Sequence, residues 1–88
     1  MSTNWNARLR SLGFSESETH VYLASLELGE ASVQDVAKRA NVSRVTAYAV
    51  IEHLIKQGLM SSVEKGKKRY VVAESPDRLL ASMKTRLT

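Results

Sequence analysis

A short run of side chains beginning at Ser43 has the types and the order needed to contact the edges of nucleic-acid bases. Arg44 carries a planar fork of donors that matches guanine O6 and N7, or a phosphate. The apolar groups of Val45, Thr46 and Ala49 can contact thymine methyl groups. The residues of this run that we expect to bind DNA are Ser43, Arg44, Val45, Thr46, Tyr48, Ala49 and His53. Such contacts would read the sequence of a duplex.

A helix over residues 44–57 is needed to carry these side chains, because the apolar residues of this segment recur at helical spacing. At 100° per residue, one side gathers the expected core residues, which are Ala47, Val50, Ile51, Leu54 and Ile55. The opposite side presents Val45, Ala49, Glu52, His53 and Lys56. The N-terminal half of such a helix can enter the major groove, which makes it the predicted recognition helix.

Some residues on this exposed side have alternative roles that the sequence leaves open. Tyr48 could cover the edge of the core instead of contacting a base. His53 could be an ordinary solvent-facing side chain. Glu52 would repel phosphate, and it is expected to pair with Lys56 four residues later.

A shorter helix is predicted directly before the recognition helix. Ser32 and Asp35 have the spacing of a capping box, which satisfies the free N–H groups of a helix start. Asn41 suits the left-handed backbone that ends a helix, and Ser43 can cap the next one. Two helices with so tight a connection are typical of a helix-turn-helix. The segment 32–58 is therefore predicted to have this structure.

The apolar period changes from 3.6 towards 2 after Gly58, which predicts two strands over 59–63 and 68–72. Gly66 permits the positive φ of a hairpin turn between them. The cations around this hairpin are Lys65, Lys67, Lys68 and Arg69. We expect them to contact the DNA backbone or the minor groove, although cations also protect edge strands from aggregation. The segment 59–73 would then be the wing of a winged helix-turn-helix.

Three further helices are predicted around this unit, over 4–12, 16–28 and 76–87. The expected fold is mainly α with a small β-hairpin (α+β), in a single domain spanning residues 1–88. The terminal helices carry apolar side chains that the core does not need, and these predict a homodimer contact. The residues concerned are Trp5, Leu9, Leu80, Met83 and Leu87. The alternative is that the C-terminal stripe folds back on its own domain.

Charge and composition narrow the classes of function. Residues 38–69 contain eight basic and two acidic side chains, a net +6 within a chain of net +4. Positive charge concentrated in this way is typical of a protein with a polyanionic partner. The chain has no cysteine, its two histidines are far apart, and no catalytic constellation is recognisable. We therefore expect no enzyme, no metal and no cofactor, and a cytoplasmic, nucleoid-associated protein without a membrane-spanning segment.

These features resemble the N-terminal winged-helix domain of TrmB-type transcriptional regulators, which are prokaryotic and mostly archaeal. The resemblance covers residues 12–80, and its most specific part is the run SRVTAY over residues 43–48. It implies that Ser43, Arg44, Thr46 and Tyr48 belong to the recognition helix and that residues 65–69 belong to the wing. It also implies transcriptional regulation through double-stranded DNA.

Two departures from the family pattern limit this implication. Ala49 stands where such proteins often have an acidic or polar residue, so the target sequence is expected to differ. Larger members of the family continue into a sugar-binding effector domain. This sequence ends before such a domain could begin. We therefore expect it to be either a minimal regulator or a fragment. The alternative function is a winged-helix protein–protein interaction module that does not bind DNA.

Overall fold

The computed structural model describes residues 5–75 of the chain, with side chains from residue 6 onward. Four helices come first: α1 (Trp5–Ser11), α2 (Glu16–Leu28), α3 (Val33–Ala40) and α4 (Arg44–Lys56). An antiparallel hairpin of β1 (Met60–Lys65) and β2 (Lys68–Ala73) follows. This order confirms the predicted winged helix-turn-helix. The helix predicted over 76–87 lies outside the described residues, as do Leu80, Met83, Leu87 and the side chain of Trp5.

The helix starts are capped by serine. Ser15 begins α2 with a complete capping box, in which its hydroxyl accepts from Glu18 N–H at 3.1 Å and Glu18 accepts from Ser15 N–H at 2.9 Å. Ser32 caps α3 through Asp35 N–H at 3.1 Å, but no return bond from Asp35 is present among the described residues. The capping box predicted at Ser32 is therefore only half formed. Aspartate is one methylene shorter than the glutamate or glutamine that completes this motif.

The turn between α3 and α4 and the turn of the hairpin both depend on left-handed backbone. Asn41 ends α3 at φ 59° and ψ 45°, as predicted. Gly66 has φ 65° at the first central position of the two-residue loop between the paired residues Lys65 and Lys68. Glycine at this position matches a type II′ turn, whose twist suits a hairpin.

A third short strand segment, which the sequence did not predict, joins the hairpin to the rest of the fold. Ala31 donates to the Val71 carbonyl at 3.0 Å and accepts from Val71 N–H at 2.8 Å. The link before α3, expected only to be extended, therefore lies against β2 as a single bridge. This bridge fixes the start of the helix-turn-helix against the wing.

The core lies between α2 and its neighbours, since α2 packs against α1, α3, α4 and β2. Its largest fully buried apolar side chains are Tyr22, Leu9, Ile51, Leu54, Met60, Val21, Val36 and Val71. Leu9 has no exposed surface, so the prediction that it forms part of a spare dimer patch is wrong. α1 places Leu9 inside the core. A domain of this size has few large apolar side chains to bury, so Leu9 is used there.

Tyr22 connects α2 to the segment that follows the wing. Its hydroxyl donates to the Glu74 carbonyl at 2.7 Å, and its ring meets Phe14 edge to face at 5.9 Å. Burial, and to a lesser extent the charge of Glu74, raises the pKa of Tyr22 to about 12. Folding therefore favours the protonated phenol over the phenolate.

This shift predicts an alkaline weakness of the fold. The ordinary tyrosine pKa is near 10, so the contribution of Tyr22 is complete below pH 10 and is lost as the pH rises to about 12. Across that window the free energy of unfolding should fall about 2–3 kcal/mol further in the wild type than in Tyr22→Phe. Urea denaturation at pH 9 and pH 12 measures the difference. Tyr48→Phe, at an exposed tyrosine, should keep the wild-type decline; parallel curves for wild type and Tyr22→Phe would contradict the assignment.

Candidate nucleic-acid interface

The two sides of α4 have the burial that the sequence predicted. Ala47, Ile51 and Leu54 are buried, and Val50 and Ile55 pack against the core with part of their surface. The exposed residues of this helix are Arg44, Val45, Tyr48, Ala49, Glu52, His53 and Lys56. One complete face of α4 is therefore free for a partner.

The start of α4 is held in place by its own cap. The Ser43 hydroxyl accepts from Thr46 N–H at 3.1 Å and donates to Thr46 Oγ1 at 2.9 Å. This hydroxyl is thus engaged inside the cap, and Thr46 is half-buried. In this structure both residues orient the first turn of the helix.

The first two turns of α4 present an unusual exposed surface. Val45 is 80% exposed, although no feature of the fold requires an apolar side chain there. The Arg44 guanidinium lies 5.8 Å from the centre of the Tyr48 ring, a cation–π contact one helical turn apart. Ala49 is exposed beside them. An exposed surface that combines one oriented cation with small apolar groups is suited to reading base edges.

A cleft of about 480 Å³ separates this surface from the wing. We call it the helix–wing cleft, and it is lined by Ser32, Val33, Gln34, Asp35, Arg44, Tyr48, Lys68, Arg69 and Tyr70. Three of these side chains are cations and one is an acid. The structure thus brings Arg44 and Tyr48 of the predicted base-reading set together with Lys68 and Arg69 of the predicted wing.

The four wing cations fall into two groups. Lys65 Nζ lies 2.5 Å from a Glu30 carboxylate oxygen, whose hydrogen bond and charge raise the lysine pKa. Arg69 Nη2 donates to Glu52 Oε1 at 2.6 Å. Lys67 and Lys68, at the tip, have no acidic partner within residues 5–75. The tip therefore carries the cations that are available to an external anion.

The pairing of Glu52 corrects one prediction. Glu52 contacts Arg69 of β2, not Lys56 of its own helix as the spacing suggested. Arg69 shares a face of β2 with the buried Val71, because side chains alternate along a strand. Arg69 therefore reaches α4, and Glu52 pairs with it and not with Lys56.

His53 lies apart from the other predicted contacts. Its Nε2 is 3.4 Å from Glu18 Oε2 of α2, and its side chain is 55% exposed. Nine residues separate it from Arg44, which is about 13 Å along the helix axis. The structure does not bring His53 together with the base-reading residues of the first two turns.

Across residues 5–75, no group of three or more His, Asp or Glu side chains is placed to hold a metal ion. None of the four described helices is long and apolar enough to span a bilayer.

Solved structures similar to this one include a chromatin protein and transcriptional regulators. TrmBL2, an archaeal chromatin protein described as having a novel mode of DNA binding, aligns with a TM-score of 0.76 at 18% identity, over 94% of this chain and 34% of its own. A MarR family transcriptional regulator from Silicibacter pomeroyi gives 0.72 at 20% identity, over 93% and 56%. The homodimeric winged helix-turn-helix DNA-binding domain of Mycobacterium bovis Mb0332 gives 0.61 at 21% identity, over 99% and 88%.

These likenesses establish the fold, and the chain spans about a third of the length of TrmBL2 and just over half of that of the Silicibacter pomeroyi regulator. Among curated protein sequences, none matches the chain. The fold is a winged helix-turn-helix whose second helix, α4, has an exposed face. The family model of the sugar-specific transcriptional regulator TrmB matches residues 9–75, so the chain belongs to the TrmB family.

Proposed function

We propose that this chain binds duplex DNA sequence-specifically, with the N-terminal half of α4 in the major groove. Arg44, Val45, Tyr48 and Ala49 would face the base edges. The observation that carries this proposal is the exposed first part of α4, where Val45 is 80% exposed beside an arginine oriented by Tyr48. A solvated helix gains nothing from an apolar residue there, whereas thymine methyl groups provide a matching surface.

The wing would bind the backbone while α4 reads the sequence. Lys67 and Lys68 lie at the turn of the hairpin, and Lys68 also lines the helix–wing cleft. Contacts from such cations to phosphates fix the orientation of a protein on the duplex without selecting a sequence. This supports a division of roles between the helix and the wing tip.

Selection from a random duplex library tests the proposal directly. The chain should enrich one short motif, here called the selected duplex. It should bind this duplex at least about 1,000-fold more tightly than a scrambled duplex at physiological salt. Fluorescence anisotropy gives both dissociation constants. Failure to enrich any motif, with no binding at low salt, would favour the protein-interaction module instead.

We also propose that the regulator acts as a homodimer. One winged helix covers a single half-site, and two half-sites spaced by whole helical turns supply the specificity that a regulator needs. The structurally similar Mb0332 domain is described as homodimeric, which supports this arrangement. The sequence offers Trp5, Leu80, Met83 and Leu87 for the contact.

Sedimentation equilibrium at micromolar concentration should therefore show a dimer. Leu80→Asp combined with Leu87→Asp should give a folded monomer, because a buried carboxylate without a partner strongly disfavours an apolar interface. Circular dichroism checks that the variant retains the wild-type helix content. A monomeric wild type, bound to DNA as one protein per site, would rule out the dimer.

The place of action follows from the proposed ligand. Chromosomal DNA lies in the cytoplasm of a prokaryotic cell, so a regulator of the TrmB family would work there, bound to the nucleoid.

A further inference from the structure

We propose that Glu52 determines specificity without contacting a base, by holding Arg69 against α4 and so withholding that cation from phosphates. This inference rests on the proposed function, since it concerns how DNA is discriminated. Glu52 is an acidic side chain on the exposed side of α4, which is the side expected to meet DNA. Simple electrostatic attraction would disfavour an acid at that place.

The geometry of the ion pair supports this role. Arg69 Nη2 donates to Glu52 Oε1 at 2.6 Å, with the two side chains 37% and 50% exposed. Arg69 also lines the helix–wing cleft together with Arg44 and Tyr48. It is therefore close to the base-reading surface and already paired. Exposed ion pairs of this kind contribute little to folding stability. Stabilisation of the fold is therefore not a sufficient explanation for the Glu52–Arg69 pair.

The wing tip shows what an unpaired cation would do. Lys67 and Lys68 have no acidic partner within residues 5–75, so they can meet phosphates in any register along the duplex. Contacts of this kind supply nearly all of the affinity for random DNA. An unpaired Arg69 would add to this sequence-independent affinity.

The pair has a different effect on the correct duplex. When α4 lies in its preferred register, base contacts provide the discrimination and the Glu52–Arg69 bond holds the wing in one position relative to the helix. In a wrong register, the same bond keeps Arg69 engaged, so the guanidinium does not pair with whichever phosphate lies nearest. On the selected duplex, a freed Arg69 would also gain a phosphate contact, but the wing would lose the position that the bond gives it relative to α4, and the two effects offset each other. Random DNA has no such position to lose. The bond therefore lowers affinity for random DNA and leaves affinity for the selected duplex nearly unchanged.

A double-mutant cycle over Glu52→Ala, Arg69→Ala and the double variant tests this role on the selected and scrambled duplexes. Glu52→Ala should bind the scrambled duplex about tenfold more tightly and the selected duplex within about twofold of wild type. The ratio of the two dissociation constants should thus fall about tenfold. When Arg69→Ala is already present, adding Glu52→Ala should change that ratio less than about twofold, because the coupled partner is gone.

The chain offers a matched control in the exposed pair of Arg39 and Glu27, which joins α3 to α2. Glu27→Ala makes the same change of charge and should leave the ratio unchanged. Glu52→Gln should behave like Glu52→Ala, since a neutral amide cannot compete with a phosphate for the guanidinium.

Two results would overturn the inference while leaving DNA binding intact. One is an unchanged ratio in Glu52→Ala, and the other is an equal fall of the ratio with and without Arg69, which would indicate simple repulsion. A wild type that binds neither duplex would instead reject the proposed function itself. Circular dichroism of each variant confirms that the comparison is made between folded proteins.

Discussion

Raising the salt concentration from 50 to 200 mM should weaken binding to the selected duplex about 1,000-fold. Three cations are available to phosphates: Lys56 on the exposed face of α4, and Lys67 and Lys68 at the wing tip. All three are exposed and have no acidic partner within residues 5–75. A homodimer would present six of them. Six phosphate contacts release enough counterions for log K to fall against log[salt] with a slope of roughly −5.

The slope also measures how many cations take part. Replacing Lys67 and Lys68 by alanine should flatten it to roughly −2 in a dimer, and should weaken all duplexes about equally. Arg10→Ala, at an exposed arginine of α1, is the control that should leave the slope unchanged. Tight binding with a flat salt response would contradict the electrostatic part of the proposal. A slope near half the expected value would indicate that the protein binds as a monomer.

The elements of this fold could be predicted because their signals are local. Ser15, Ser32 and Ser43 each begin a helix within one turn of their own position. Asn41 and Gly66 both adopt a positive φ. Glycine has no side chain to oppose this conformation, and asparagine tolerates it better than most residues. The helical spacing of Ala47, Ile51 and Leu54 was enough to orient α4 correctly. The candidate site followed, since the face opposite a core must be exposed.

The features that sequence did not reveal all depend on residues distant along the chain. Ala31 and Val71 form a bridge across 40 positions, and Glu52 meets Arg69 across 17. Helical spacing suggested that Glu52 pairs with Lys56, but it could not show that the wing places Arg69 beside Glu52. Leu9 was misassigned to a surface for the same reason. Its burial depends on how α1 packs against α2, which no local pattern encodes.

Arg44→Ala should reduce affinity for the selected duplex by about 1–3 kcal/mol and relax the preference at one base pair. The size of the effect depends on how well the guanidinium is oriented before DNA arrives. Its contact with the Tyr48 ring at 5.8 Å orients it on the exposed side of α4, which would reduce the entropy lost on binding. The measurement is a set of dissociation constants for duplexes in which each base pair of the selected motif is changed in turn.

The pattern of losses across this set distinguishes reading from anchoring. Wild type should lose about 1–3 kcal/mol at each base pair that it reads, and Arg44→Ala should become indifferent to one of them. Lys68→Ala is the matched control, because it removes one charge from the same cleft. It should weaken every duplex in the set by the same factor and keep the order of preference. If Arg44→Ala also weakens all duplexes uniformly, Arg44 binds a phosphate, and specificity must come from the apolar contacts of Val45 and Ala49 and from the shape of the DNA.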